Sequence, residues 1–206
     1  LQQWGGLCCQ GEYPSHQELW TAIKSQIKEQ RRRGQRDPIT EDQVRKGIFR
    51  LNSRTAVGVD QRSPAVWRDL SDEAIQELTA LLNEVEQTLT WPAHIYFNLI
   101  VLMGKPAGGT RPIALMAMIY RLWTKIRRPE IDSWESAWAG PWDAAVKGSS
   151  ALRAAILNLL QDEIAVYRGR QTLTTLWDDE KFYDNIDVIQ LMGKSTEVEY
   201  PLDILI

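Results

Sequence analysis

The chain has 206 residues, 44% of them hydrophobic and 25% charged, with a formal net charge of −3. These proportions belong to an ordinary globular protein and exclude a disordered or fibrous chain, and the length suits one domain or two small ones. No apolar run reaches the roughly 18 residues that a membrane span needs, and the N-terminus lacks the basic, apolar and small-residue order of a secretory signal. The chain opens at Leu1 rather than Met, so it is expected to be a piece of a longer protein. Charge is uneven. Residues 1–60 carry +3, residues 61–128 carry +2 and residues 129–206 carry −8. A basic front suits phosphates, and an acidic rear must be solvated or hold cations. Cys8 and Cys9 are adjacent and imply no disulfide framework, and with only two histidines a zinc site is not expected. A reducing compartment, cytoplasm or nucleus, fits this cysteine usage.

Taken in order, Ser15 and Glu18 make a capping box ahead of Leu19, Ile23 and Ile27, with Gly34 as the stop. Thr40 and Gln43 make a second box, ahead of Val44, Ile48 and Leu51. Residues 53–64 read as a loop. Ser71 caps a longer amphipathic helix through Ile75, Leu78, Leu82 and Val85, which Trp91-Pro92 stops. Ile95 to Met103 reads as a strand, residues 104–110 as a Gly-rich hairpin loop, and Arg111 to Ile113 as the returning strand. A helix is expected over 115–128, broken or kinked at Pro129, and the tryptophan-rich stretch 130–146 is ambiguous. Ser149 or Ser150 starts a helix that Gly169 ends. Residues 171–177 are β-prone, and a further helix is expected to start near Asp187. The class is α+β and helix-rich.

Two features carry chemistry. Asp178, Asp179, Glu180, Asp184 and Asp187 crowd into ten residues. Two carboxylates about 4 Å apart repel by about 4 kcal/mol at an effective dielectric of 20. Such a cluster points into water and caps the next helix, or it holds a hard cation such as magnesium through one or two carboxylates and substrate phosphates. The second feature is the hairpin. Lys105 precedes its Gly-rich turn and Arg111 follows it. A point charge and a planar fork on one side suit a triphosphate; two ordinary surface cations on a solvated turn are the other reading. No helix directly follows the turn, so it is not a P-loop.

These pieces in sequence resemble the reverse transcriptases of non-LTR retrotransposons and group II introns. The resemblance rests on Val57-Gly58-Val59-Asp60, Trp91-Pro92, Ile100 through Lys105, Arg111 through Leu115, Tyr120 through Lys125, Lys147 through Ala151, and Leu176-Trp177-Asp178 through Asp184. It implies helix-rich fingers with a β-hairpin, plus the first strand of an incomplete polymerase palm. By matching positions, Asp178 is the first catalytic aspartate and binds both ions of a two-magnesium site, which is only partly present here. Asp179 stands where the family has an apolar residue whose carbonyl helps hold one metal. Lys105 and Arg111 hold the incoming triphosphate. Tyr183 gates against a ribose 2′-hydroxyl. Lys147 through Ser150 packs beside the template. The implied partners are an RNA template, a DNA primer and deoxynucleoside triphosphates, and no membrane.

Three departures stand out: Asp179 itself, Gln61 where the family commonly has glycine, and Ala145-Val146 in place of Gly-Phe. The family's Tyr-x-Asp-Asp segment does not occur between Asp187 and Ile206. The expected division is an N-terminal helical extension over 1–56, fingers over 57–169 and a partial palm over 170–206. The alternative reading is an inactive remnant, or a nucleic-acid-binding module without catalysis. Arg121, Lys125, Arg127 and Arg128 track the template backbone, or else serve their helix end. Arg31-Arg32-Arg33 reads as an RNA-binding arm or a solvated helix end.

Overall fold

The computed structural model describes residues 16–33, 36–106, 108–140, 143–175 and 186–205. Helices α1 (His16–Arg33), α2 (Glu41–Phe49), α3 (Pro64–Arg68) and α4 (Asp72–Thr88) are followed by strands β1 (Leu99–Gly104) and β2 (Thr110–Leu115). Helices α5 (Met118–Trp138), α6 (Ala151–Tyr167), α7 (Val188–Glu197) and α8 (Leu202–Leu205) complete the described elements. Among the described residues the fold is therefore helix-rich, with one small antiparallel sheet. The chain divides into two compact units: residues 1–37 with 181–206, and residues 38–180.

In the first unit, Ile23 and Ile27 of α1 are buried, as are Met192, Leu202 and Ile204. Gln30 fixes the connection between α7 and α8. Its amide donates to the carbonyl of Tyr200 at 3.0 Å and accepts from the N–H of Leu202 at 3.2 Å. Asp203, a lone acid by sequence, accepts from Arg36 at 2.9 Å and sits 3.6 Å from Arg31. Part of the basic run 31–33 thus has an intramolecular acceptor. Asp187 starts α7 as expected, its side chain accepting from the N–H of Gln190. One acid of the 178–187 cluster is therefore a helix cap.

The core of the second unit is built from the buried faces of α2, α4 and α5, with α2 packed on both of the others. The capping box of Thr40 and Gln43 forms as the sequence predicts, and Ser71 caps α4 through the N–H of Ala74. Helix α2 buries Val44 and Ile48, α4 buries Ile75, Leu78, Leu82 and Val85, and α5 buries Met118, Ile119, Leu122, Trp123 and Ile126. Helix α2, which the sequence division places in the N-terminal extension, packs on α4 and α5 within this unit. Asn83 ties the entry of α2 to α4. Its side chain accepts from the N–H of Ile39 and donates to the Ile39 carbonyl. Trp91, Tyr120 and Trp123 pack edge-on or tilted, with centroids 5.5–5.7 Å apart, the spacing that aromatic quadrupoles favour.

Three expectations change. The first strand begins at Leu99, because Ala93–Tyr96 forms a short 3₁₀ turn after Pro92. Helix α5 runs through Pro129 to Trp138 rather than ending there. The proline removes one backbone donor, a cost of roughly 3 kcal/mol in a helix interior. Ion pairs clamp both sides of it: Arg127 with Glu130, and Arg128 with both Asp132 and Glu135. The palm strand expected over 171–177 is absent from its described part, since residues 171–175 belong to no regular element. β-propensity makes no ladder without a neighbouring strand, and the only sheet among the described residues is the β1–β2 pair. Ser150 caps α6 through the N–H of Arg153, as read. None of the α6 side chains is buried, and Leu152, Ile156, Leu159, Leu160 and Ile164 are exposed.

Candidate functional site

The site is built on the β1–β2 hairpin, whose register pairs Leu99 with Leu115, Val101 with Ile113 and Met103 with Arg111. Lys105 extends the ladder by donating its N–H to the carbonyl of Gly109 at 3.0 Å. Alternation from that bond puts Pro112, opposite Leu102, at a position whose nitrogen faces away from β1. Its missing donor therefore costs no bond of the ladder. The N–H of Gly108 donates to the carbonyl of Lys105, and Gly108 and Gly109 hold φ of +91° and +83°. A side chain there would strain the backbone, which is why the tip is Gly-Gly. Cross-strand pairing places Met103 and Arg111 on one face, and the pleat puts Lys105 on that face as well.

Both cations are exposed. So are Ile100, Val101, Leu102 and Met103, at 55%, 39%, 65% and 52%. The ribbon stands out from the helices with a cationic end and an apolar body. No ion pair engages Lys105 or Arg111 among the described residues.

The base of the hairpin is fixed by the Val57–Asp60 motif. A Cβ on Gly58 would lie 2.2 Å from the carbonyl oxygen of Met116, so only glycine admits this approach. Asp60 Oδ2 accepts from the N–H of Met118 at 2.7 Å and caps the start of α5. Arg121 donates to the carbonyl of Ala56 at 2.6 Å. Gln61 has φ of +48°. Glycine would adopt this left-handed backbone without strain.

The four helix cations separate. Arg127 is buried, at 3% exposure. Its Nε and Nη2 donate to Glu86 at 2.7 and 2.6 Å and its Nη1 to Glu130 at 2.7 Å, while Trp123 Nε1 also donates to Glu86 at 2.8 Å. Burial works against the Arg127 charge, but the Glu86 and Glu130 carboxylates outweigh it and hold the guanidinium above its ordinary value. Arg127 is therefore a core ion-pair residue, which corrects its reading as a template-tracking or helix-end cation. Arg128 is held by Asp132 and Glu135, and Arg121 by Ala56. Lys125 is exposed, with no ion pair among the described residues.

An open groove of about 640 Å³ lies between the 143–149 segment and α6, lined by Lys147, Ser149, Arg153, Asn158 and Gln161 among others. Lys147, singled out by sequence, also lies 3.7 Å from Asp132 of α5. On α5, Trp134 and Trp138 lie with centroids 6.4 Å apart. Composition flagged these tryptophans without placing them.

Asp178, Asp179 and Tyr183 lie outside the described residues, as do Ser15 and Gly34. Among the described residues no group of three His, Cys, Asp or Glu is arranged to hold a metal ion, and no helix is long and apolar enough to cross a membrane. No protein-family model matches the chain, and no curated protein matches it.

Proposed function

We propose that this chain carries the fingers and first palm segment of an RNA-directed DNA polymerase of the non-LTR retrotransposon and group II intron type, acting in the cytoplasm or nucleus. One observation carries the reading: an exposed hairpin with a Gly-Gly tip presents Lys105 and Arg111 on one face, at the chain position where the resemblance asks for a triphosphate-binding fingers hairpin. In this reading Lys105 and Arg111 offset the charge of the β- and γ-phosphates. Asp178, assisted at Asp179, holds magnesium, and Tyr183 excludes a 2′-hydroxyl. Magnesium, when bound, supplies charge neutralisation at the transferring phosphoryl group. The buried pairing of Arg127 with Glu86 removes one of the four α5 cations from the template-facing set.

The test is calorimetric titration of the chain with a deoxynucleoside triphosphate and magnesium at two salt concentrations. Replacing both hairpin cations, Lys105→Ala with Arg111→Ala, is expected to weaken binding tenfold or more, about 1.4 kcal/mol, and to flatten its salt dependence. Equal affinity in parent and variant would count against the reading.

A further inference from the structure

We propose that Asp60 is the positioning residue of the hairpin: with Ala56 and Gly58 it forms a clasp on the first turn of α5 that sets the direction in which Lys105 and Arg111 are presented. The hairpin has little else to orient it. Its strands are exposed on both faces, with only Leu115 half-buried, and a two-stranded ribbon by itself is marginally stable. Its direction is therefore decided at its base, where β2 passes through Met116 and Ala117 into α5. Three contacts from one short loop converge there: Gly58 against the Met116 carbonyl, Asp60 on the N–H of Met118, and Ala56 on Arg121.

A helix is usually capped by the residue before its first turn. Here that residue is Ala117, which has no side-chain acceptor. The cap comes instead from a carboxylate 58 residues earlier. Ala117 and Met118 are both buried, so water does not readily replace Asp60 on that N–H. A swing of the hairpin about residues 116–117 must lift Met116 off Gly58, and Asp60 holds the Gly58 loop in place by anchoring it to the first N–H of α5. Asp60 Oδ1 is buried and has no hydrogen-bond partner among the described residues. One oxygen thus does the capping, and an asparagine oxygen would serve equally. The role assigned to Lys105 and Arg111 rests on the polymerase reading; the clasp itself does not.

The test places spin labels at Pro106→Cys, at the exposed tip, and Glu77→Cys, on the exposed face of α4, in a Cys8→Ser, Cys9→Ser background. Double electron–electron resonance reads their separation, and calorimetry with inorganic tripolyphosphate reads the cations. The expected result is one narrow distance distribution in the parent and in Asp60→Asn. In Asp60→Ala the distribution should be at least twice as wide and tripolyphosphate binding threefold weaker or more, with cooperative unfolding retained. An unchanged width in Asp60→Ala overturns the proposal. A widened distribution with unchanged tripolyphosphate affinity overturns the positioning role. If Asp60→Ala does not fold, Arg121→Met, which removes only the Ala56 bond, carries the same distance test, and an unchanged width there overturns it. If the parent binds no tripolyphosphate, the polymerase reading of the cations fails, and the distances still decide the clasp.

Discussion

Replacing Glu86 by leucine should destabilise the 38–180 unit by about 3–4 kcal/mol. Glu86 is 11% exposed at its side chain and accepts both Nε and Nη2 of Arg127, itself 4% exposed. Removing one partner of a buried pair costs roughly 3–5 kcal/mol, because the other charge stays in low dielectric. Arg127 would keep Glu130, which is 35% exposed, and this points to the lower end of that range. The indole N–H of Trp123 would also lose its acceptor, adding about 1 kcal/mol. Urea unfolding followed by tryptophan fluorescence measures the change, since Trp67, Trp91 and Trp123 are all buried in this unit. The double variant Glu86→Leu with Arg127→Met should recover to within about 1 kcal/mol of the parent, because it removes both charges together. A loss below about 1 kcal/mol for Glu86→Leu, or a double variant as unstable as the single one, would refute the assignment of Arg127 to the core.

Other outcomes follow from single sites. Gln61→Gly should stabilise the chain by roughly 1 kcal/mol by relieving φ of +48°, seen as a Tm gain of about 2–4 °C; a loss of stability would contradict that. Burial raises the Tyr120 phenol above its ordinary value. The folded state therefore holds that proton at a pH where the unfolded state has released it, and stability should fall as pH rises above about 10. Tyr120→Phe should shallow this alkaline loss in pH-dependent urea midpoints, and an identical slope would argue against it. In the protein as encoded, Tyr183→Val should raise ribonucleotide incorporation far more than Phe182→Val, as read by competing the two nucleotide types in primer extension.

Local chemistry was the most legible part of the sequence. The caps at Thr40, Ser71 and Ser150 each need one side chain within three residues of a free N–H, and all three form. The hairpin was legible for the same reason, since its Gly-Gly tip demands positive φ. What depends on distant partners was not. Arg127 reads as a surface cation until Glu86, 41 positions away, is brought against it. Asp60 reads as part of a motif, but its partner is the N–H of Met118. Pro129 signals a helix end, yet the flanking ion pairs span it. The 171–175 segment has strand propensity without a strand beside it among the described residues.

The polymerase assignment is tested most directly by primer extension on an RNA template with magnesium, comparing a protein that carries this chain together with a Tyr-x-Asp-Asp segment with its Asp178→Asn variant. The account predicts template-directed extension by the parent and its loss in the variant, at equal thermal stability. A folded parent that does not extend the primer, or extension that survives Asp178→Asn, would contradict it.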